Sequence, residues 1–265
     1  RKRRKEILDS EVDFWKTIIP NCKIVFDVGC KNDNIFYEIN PSLEEIHLFD
    51  PNISDILLPK IQNKKNVIFN NIALGNNDEE KLFYMYYGSF KENTNNVSFR
   101  NKQQSKIVHI RKLSDYVHEK NIPYIDFLKI DAEGFEIEII KGCGDFIDNI
   151  KYIQFEDFNI FYNGETVDYI FDYFQKKGWN VYYIGGPPDN YVATKENLGL
   201  LKKMTYIKKS ENVDKYQSFL KDFNTFRVIS SNEDRFPVLW SDIRQILNTN
   251  TDSIYFDSHY VYDTA

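Results

Sequence analysis

The chain has 265 residues, enough for one large domain with an appendage or for two small ones, and its 42% hydrophobic and 28% charged residues are ordinary for a globular protein. A net charge of −6 excludes general attraction to nucleic acid or to an acidic membrane surface. Its three cysteines, an odd number without metal-ligand spacing, argue against a disulfide framework or a cysteine-based zinc site.

No apolar run approaches the ~20 residues that span a bilayer, and no secretory core is visible. A reducing, cytoplasmic setting is therefore expected. Residues 1–5 form a basic cluster of the kind found in solvated linkers. A chain that opens on Arg1 rather than Met is expected to be cut from a longer multidomain protein, with flanking catalytic modules as partners.

Residues 6–19 carry Ile7, Leu8, Val12, Trp15 and Ile19 near one face, which predicts an amphipathic helix. Short apolar runs at 23–28, 45–49, 66–69, 125–130 and 152–155 predict strands, with two more at 180–184 and 204–208. Residues 135–140 and 167–177 have helical periodicity, and the second helix ends at Gly178. Strands alternating with helices imply a mainly parallel sheet covered on both faces. In such sheets ligands sit beyond the carboxyl ends of the strands. Residues 88–106 are polar and read as either a substrate lid or a disordered loop. Beyond residue 210, stretches at 213–223, 226–229 and 238–247 and an aromatic tail near 255–262 are too apolar for a free linker.

The first strand ends Ile24-Val25-Phe26-Asp27-Val28-Gly29-Cys30. An acidic residue followed two positions later by glycine opens a nucleoside-binding loop, because glycine permits a tight turn and close backbone approach. The second strand ends Phe49-Asp50-Pro51-Asn52. Asp50 follows Gly29 by about 20 residues, the spacing at which a carboxylate meets a ribose diol; it also suits a turn before proline. A dinucleotide site needs G-x-G-x-x-G, and here Lys31 and Asn34 replace the later glycines. Asp33 adds a negative charge that a pyrophosphate would meet and a sulfonium would tolerate. This favours S-adenosylmethionine over a nicotinamide cofactor.

The fourth strand runs Ile125-Asp126-Phe127-Leu128-Lys129-Ile130-Asp131-Ala132-Glu133-Gly134-Phe135-Glu136 and continues to Ile140-Lys141-Gly142. This segment resembles the hallmark of the FkbM methyltransferases. Four further blocks agree with that family: "FDVG" at 26–29, "FDPN" at 49–52, "NIALGN" at 71–76 and "IRKLSDY" at 110–116. The resemblance covers residues 22–209. Cys30, Lys31 and Asp33 depart from the family's usual first loop.

The resemblance implies a Rossmann-like class I methyltransferase: a doubly wound, mainly parallel α/β sheet with an N-terminal helix and a C-terminal extension. It implies that Asp27 and Gly29 line the methionine end of the cofactor, that Asp50 holds the ribose, and that Ile72 and Ala73 flank the adenine, with Cys30 and Pro51 as further cofactor-binding residues. Asp131 stands beside the transferred methyl group. An alcohol needs a base before it becomes a nucleophile; Asp131, Glu133 and Glu156 are the candidates, with His109 more distant. Glu133 and Glu136 also suit helix capping, and Lys129 in a buried strand suits a carboxylate partner. No protein metal site is assigned. A divalent cation held by Asp131, Glu156, Asp157 and Asn159 is the variant considered.

The expected organisation is a basic segment and helix at 1–21, a methyltransferase domain at 22–209, and an extension or further module at 210–265. The expected activity is S-adenosylmethionine-dependent O-methylation of a sugar hydroxyl on a glycan or glycoconjugate. Phe158, Phe161 and Tyr162 are candidates to stack on the sugar. The alternative is a non-catalytic scaffold module that keeps the fold.

Overall fold

The computed structural model describes residues 11–32, 35–52, 55–84, 105–157, 167–185, 189–198, 202–207, 253–256 and 259–262. Helix α1 covers 11–18 and runs into a 3-10 turn, Ile19–Asn21. There follow β1 (Ile24–Val28), α2 (Phe36–Ile39), β2 (Glu45–Phe49), α3 (Leu58–Ile61), β3 (Val67–Asn70), β4 (Ala73–Leu74), β5 (Glu79–Tyr84) and β6 (Ser105–Arg111). Next come α4 (Leu113–Glu119), β7 (Ile125–Ile130), α5 (Glu136–Gly142), β8 (Ile150–Asp157), α6 (Val167–Lys176), β9 (Asn180–Gly185) and β10 (Asp189–Thr194). The last described strands are β11 (Lys202–Ile207), β12 (Ser253–Phe256) and β13 (His259–Tyr262). The chain divides into two units, residues 1–167 with 184–192 and residues 168–183 with 193–265.

In the first unit the main sheet runs β10-β8-β7-β1-β2-β3. Strands β8, β7, β1, β2 and β3 are mutually parallel. All five residues of β1 are buried, and five of the six in β7. That two-sided burial is why both read as mainly apolar runs, interrupted by Asp27 in β1 and by Asp126 and Lys129 in β7. One face is covered by α4. Phe26 stacks on His47 at 4.5 Å, and Tyr116 of α4 meets Phe26 edge-on at 6.0 Å. The other face is covered by α1 and α2, where Phe14 and Phe36 both meet Phe127. Helices on both faces make this a doubly wound sheet, as expected.

A second, three-stranded sheet in the order β4-β6-β5 packs Ala73, Phe83, Val108 and Ile110 into a cluster joined by Phe135. Its longer strands, β5 and β6, pair antiparallel. Strand β5 has no counterpart in the sequence reading, because Glu79-Glu80-Lys81 reads as polar surface, whereas His109 of β6 does lie in an alternating, strand-like run.

In the second unit β9 pairs antiparallel with β11, β11 parallel with β12, and β12 antiparallel with β13. Helix α6 buries Ile170, Phe171 and Phe174 and stops before Gly178, whose φ of +74° suits a helix terminator. The aromatic tail near 255–262 thus forms a strand pair. Helix expectations at 213–223 and 238–247, the run at 226–229, residues 6–10 of the first helix and the polar stretch from 88 to 104 all lie outside the described residues. Ser105 and Lys106, assigned to that stretch, instead begin β6. Among the described residues no helix is long and apolar enough to cross a membrane.

Candidate functional site

From β1 the chain moves outward through β2 and β3, then returns to the other side of β1 as β7 and moves outward again to β8. Ligand crevices open at such a reversal, beyond the carboxyl ends of the strands. A cavity of about 420 Å³ opens there, within the size range of small-molecule sites.

The loop after β1 enters this cavity at Gly29. Its φ is +82°, and its N–H donates to the Phe49 carbonyl at 2.8 Å. A Cβ on Gly29 would stand 1.8 Å from the Asp131 carbonyl oxygen. Only glycine therefore lets the β1 and β7 loops close on one another. Lys31, two residues on, holds φ +48° without that freedom.

Asp50, at the end of β2, is 7% exposed. The Lys31 N–H donates to its Oδ2 at 2.8 Å and the Asn52 N–H to its Oδ1 at 2.7 Å. Burial raises its pKa, and these two hydrogen bonds work against the rise. Each carboxylate oxygen has two acceptor positions, so each keeps one after its backbone bond. Asn71 steadies the loop from behind, donating to the carbonyls of Asp50 and Pro51.

The turn after β7 forms the facing wall. Asp131, Ala132, Glu133 and Phe135 line it. Glu133 has φ +51° and Gly134 φ +95°. Glu136, wholly buried, holds this turn: its Oε1 accepts from the N–H of Ala132 at 2.9 Å and of Gly134 at 3.2 Å. The pKa of Glu133 is raised by burial and then by Asp131.

Lys129 lines the same cavity and is 9% exposed. Its Nζ lies 3.0 Å from Asp131 Oδ2 and 3.5 Å from Asp27 Oδ1. Burial works against its charge, but Asp131, Asp27 and Glu11 outweigh that and raise its pKa above the ordinary lysine value. Asp27 and Gln154 are its register neighbours in β1 and β8. Gln154, 1% exposed, accepts from Trp15 Nε1 at 2.7 Å and donates to Glu11 at 2.6 Å and to Asn190 at 3.2 Å. Helix α1 is thereby tied to the middle of the sheet.

Of the site residues named from sequence, Gly29, Cys30, Asp50, Pro51, Ile72, Ala73, Asp131 and Glu133 all line the cavity. Asp27 and Glu156 are buried and are not among its lining residues. Burial first, then the charges of Asp131, Glu136 and Glu133, push the Glu156 pKa well above the carboxylate range. His109 lies in a separate depression and pairs with Asp78 at 3.4 Å. The Cys30 thiol is pushed up by burial and by Asp27 and Asp50, which keeps it protonated.

Asp33, Asn34, Phe158, Asn159, Phe161, Tyr162 and the Asp157 side chain lie outside the described residues. Among the described residues no group of three or more His, Cys, Asp or Glu is arranged to hold a metal ion. Sequence reading missed Lys31, Phe83 and Phe135 as wall residues, and Glu11 and Gln154 as the anchor of α1. For Lys129 a signal was present: a charged residue inside an apolar strand is rare unless paired.

Residues 18–181 match the methyltransferase FkbM domain family. Among solved structures, the methyltransferase FkbM from Methylobacillus flagellatus KT aligns at 14% identity and a TM-score of 0.43, over 64% of this chain and 43% of its own. The chain thus spans less than half the length of that structure. The methyltransferase domain of a bacterial Hen1, CtHen1-C, aligns at 12% identity and a TM-score of 0.41, over 71% of this chain and 100% of its own. No curated protein matches the sequence. The family match takes in more than half of the chain and every residue that lines the cavity, and the protein belongs to the FkbM methyltransferase family.

Proposed function

We propose that the chain is an S-adenosylmethionine-dependent O-methyltransferase whose acceptor is a sugar hydroxyl of a glycan or glycoconjugate, and that it acts in the cytoplasm. The observation that carries the cofactor assignment is Asp50. A buried carboxylate anchored by one backbone N–H on each oxygen retains one acceptor position on each for a vicinal diol. Apolar walls from Ile72, Ala73, Leu74 and Phe83 suit an adenine ring, and Gly29 admits the ligand close to the backbone. When bound, the cofactor supplies an electrophilic methyl group.

The chain's own part is to position the acceptor and take its proton. Asp131 already accepts a hydrogen bond from Lys129 through its Oδ2. Glu133 lines the cavity with its pKa raised toward the working range, so it is the better proton acceptor. Two carboxylates on one wall also favour a polyhydroxylated acceptor over an apolar one. The buried free thiols suit a reducing compartment.

Calorimetric titration with S-adenosylmethionine and S-adenosylhomocysteine tests the assignment. Wild type is expected to bind both in the micromolar range. Asp50→Ala should weaken binding roughly tenfold to hundredfold, the worth of a hydrogen bond to a charged group at ~1.5–3 kcal/mol. An absence of binding to wild type would sink the enzymatic reading and leave a scaffold module with the same fold.

A further inference from the structure

The cofactor reading leaves unexplained why a lysine stands inside the central strand of the site. Lys129 is flanked in register by Asp27 on β1 and Gln154 on β8, forming one polar row across three strands beneath α1. Its ammonium has three donors. Asp131 at 3.0 Å and Asp27 at 3.5 Å engage it from the protein side. Two carboxylates against one ammonium leave the row one positive charge short of balance. Lys129 and Asp131 both face the cavity, whereas Asp27 supports the lysine without lining it.

A wall that presents a fixed cation beside a fixed anion matches a zwitterion. Were the ligand's only charge a sulfonium, the ammonium would repel it. A ligand carrying an α-amino-acid tail supplies a carboxylate for Lys129 and an ammonium for Asp131, and its extra positive charge balances the row. Resting on the cofactor assignment above, we infer that Lys129 receives the α-carboxylate of the donor's amino-acid tail, so that the site reads the tail as a zwitterion. Asp27 and Glu11 are positioning residues that hold Lys129 charged.

The test needs no acceptor. Wild-type protein is titrated with S-adenosylhomocysteine, its decarboxylated analogue 5′-(3-aminopropylthio)adenosine, and 5′-methylthioadenosine, which lacks the tail. Wild type is expected to bind S-adenosylhomocysteine roughly ten- to hundredfold more tightly than the decarboxylated analogue. Lys129→Met should lose that preference while keeping its affinity for methylthioadenosine, and Lys129→Arg should keep most of it.

Equal wild-type affinity for S-adenosylhomocysteine and the decarboxylated analogue overturns the inference and leaves the nucleoside site standing. That comparison uses unaltered protein, so it holds even where Lys129→Met fails to fold. A Lys129→Met protein that weakens all three ligands alike also overturns it, since the lysine would then be structural. Failure of wild type to bind any of the three overturns the cofactor assignment and this inference together.

Discussion

Single residues set the closest distances in this fold. At Gly29 two constraints coincide, a left-handed backbone and a neighbouring carbonyl where a Cβ would stand. Gly29→Ala is expected to cost about 2–3 kcal/mol and to abolish ligand binding, read as a lowered melting temperature and a silent titration. Gly178→Ala is the matched comparison: φ is likewise positive, but nothing lies within 4 Å of the added carbon. There only the backbone strain remains, about 1–2 kcal/mol. Equal losses at the two glycines would mean that the Gly29–Asp131 approach is not tight. The same crowding recurs at Gly142, where a Cβ would lie 1.9 Å from the Gly75 carbonyl. The glycines of the "NIALGN" block and of the segment ending at Gly142 are thus two sides of one contact.

At the scale of elements, the link between α1 and the sheet passes through one buried amide. Gln154→Ala would leave the Trp15 indole N–H and the Glu11 carboxyl without that partner. A loss of about 2–4 kcal/mol is expected, with a red shift in tryptophan emission that a Trp15→Phe background lacks. An unshifted spectrum would show that α1 docks by its apolar face alone.

Legibility in the sequence divides along the same line. Strands β2 and β7 fall at their expected bounds, because a strand buried on both faces writes most of its length as apolar residues. Strands β5 and β6 were not foreseen as a pair: one side of their ribbon is exposed, and Glu80 and His109 sit opposite each other there. The meeting of Gly29 and Asp50 in one cavity wall was legible because spacing along the chain encodes it. The Glu11–Gln154 bond was not, because its partners are 143 residues apart and no local pattern links them. The left-handed backbone at Lys31 and Glu133 was hidden too, since neither residue type announces it.

Over the whole molecule, buried acids set the response to pH. Burial raises the pKa values of Glu156, Asp50, Glu11 and Glu133. A carboxyl whose folded pKa exceeds its unfolded value binds more protons in the folded state. Its contribution to stability is complete below the unfolded value and is lost as pH rises through the folded one. For Glu156 that window opens near the ordinary 4.5 of glutamate and extends upward. Glu156→Gln removes the titration. The variant should therefore melt higher than wild type at pH 8 and close to it at pH 4. An equal difference at both values would assign the effect to packing rather than to charge.

Cys22, Cys30 and Cys143 are all buried, and all three lie in the first unit. Burial pushes the thiols of Cys22 and Cys143 up to about 12 and raises that of Cys30 as well. An alkylating reagent attacks thiolate that it can reach, and the closed unit offers almost none. The rate at which iodoacetamide consumes these sulfurs thus counts openings of the unit, and the chain carries its own stopwatch for unfolding.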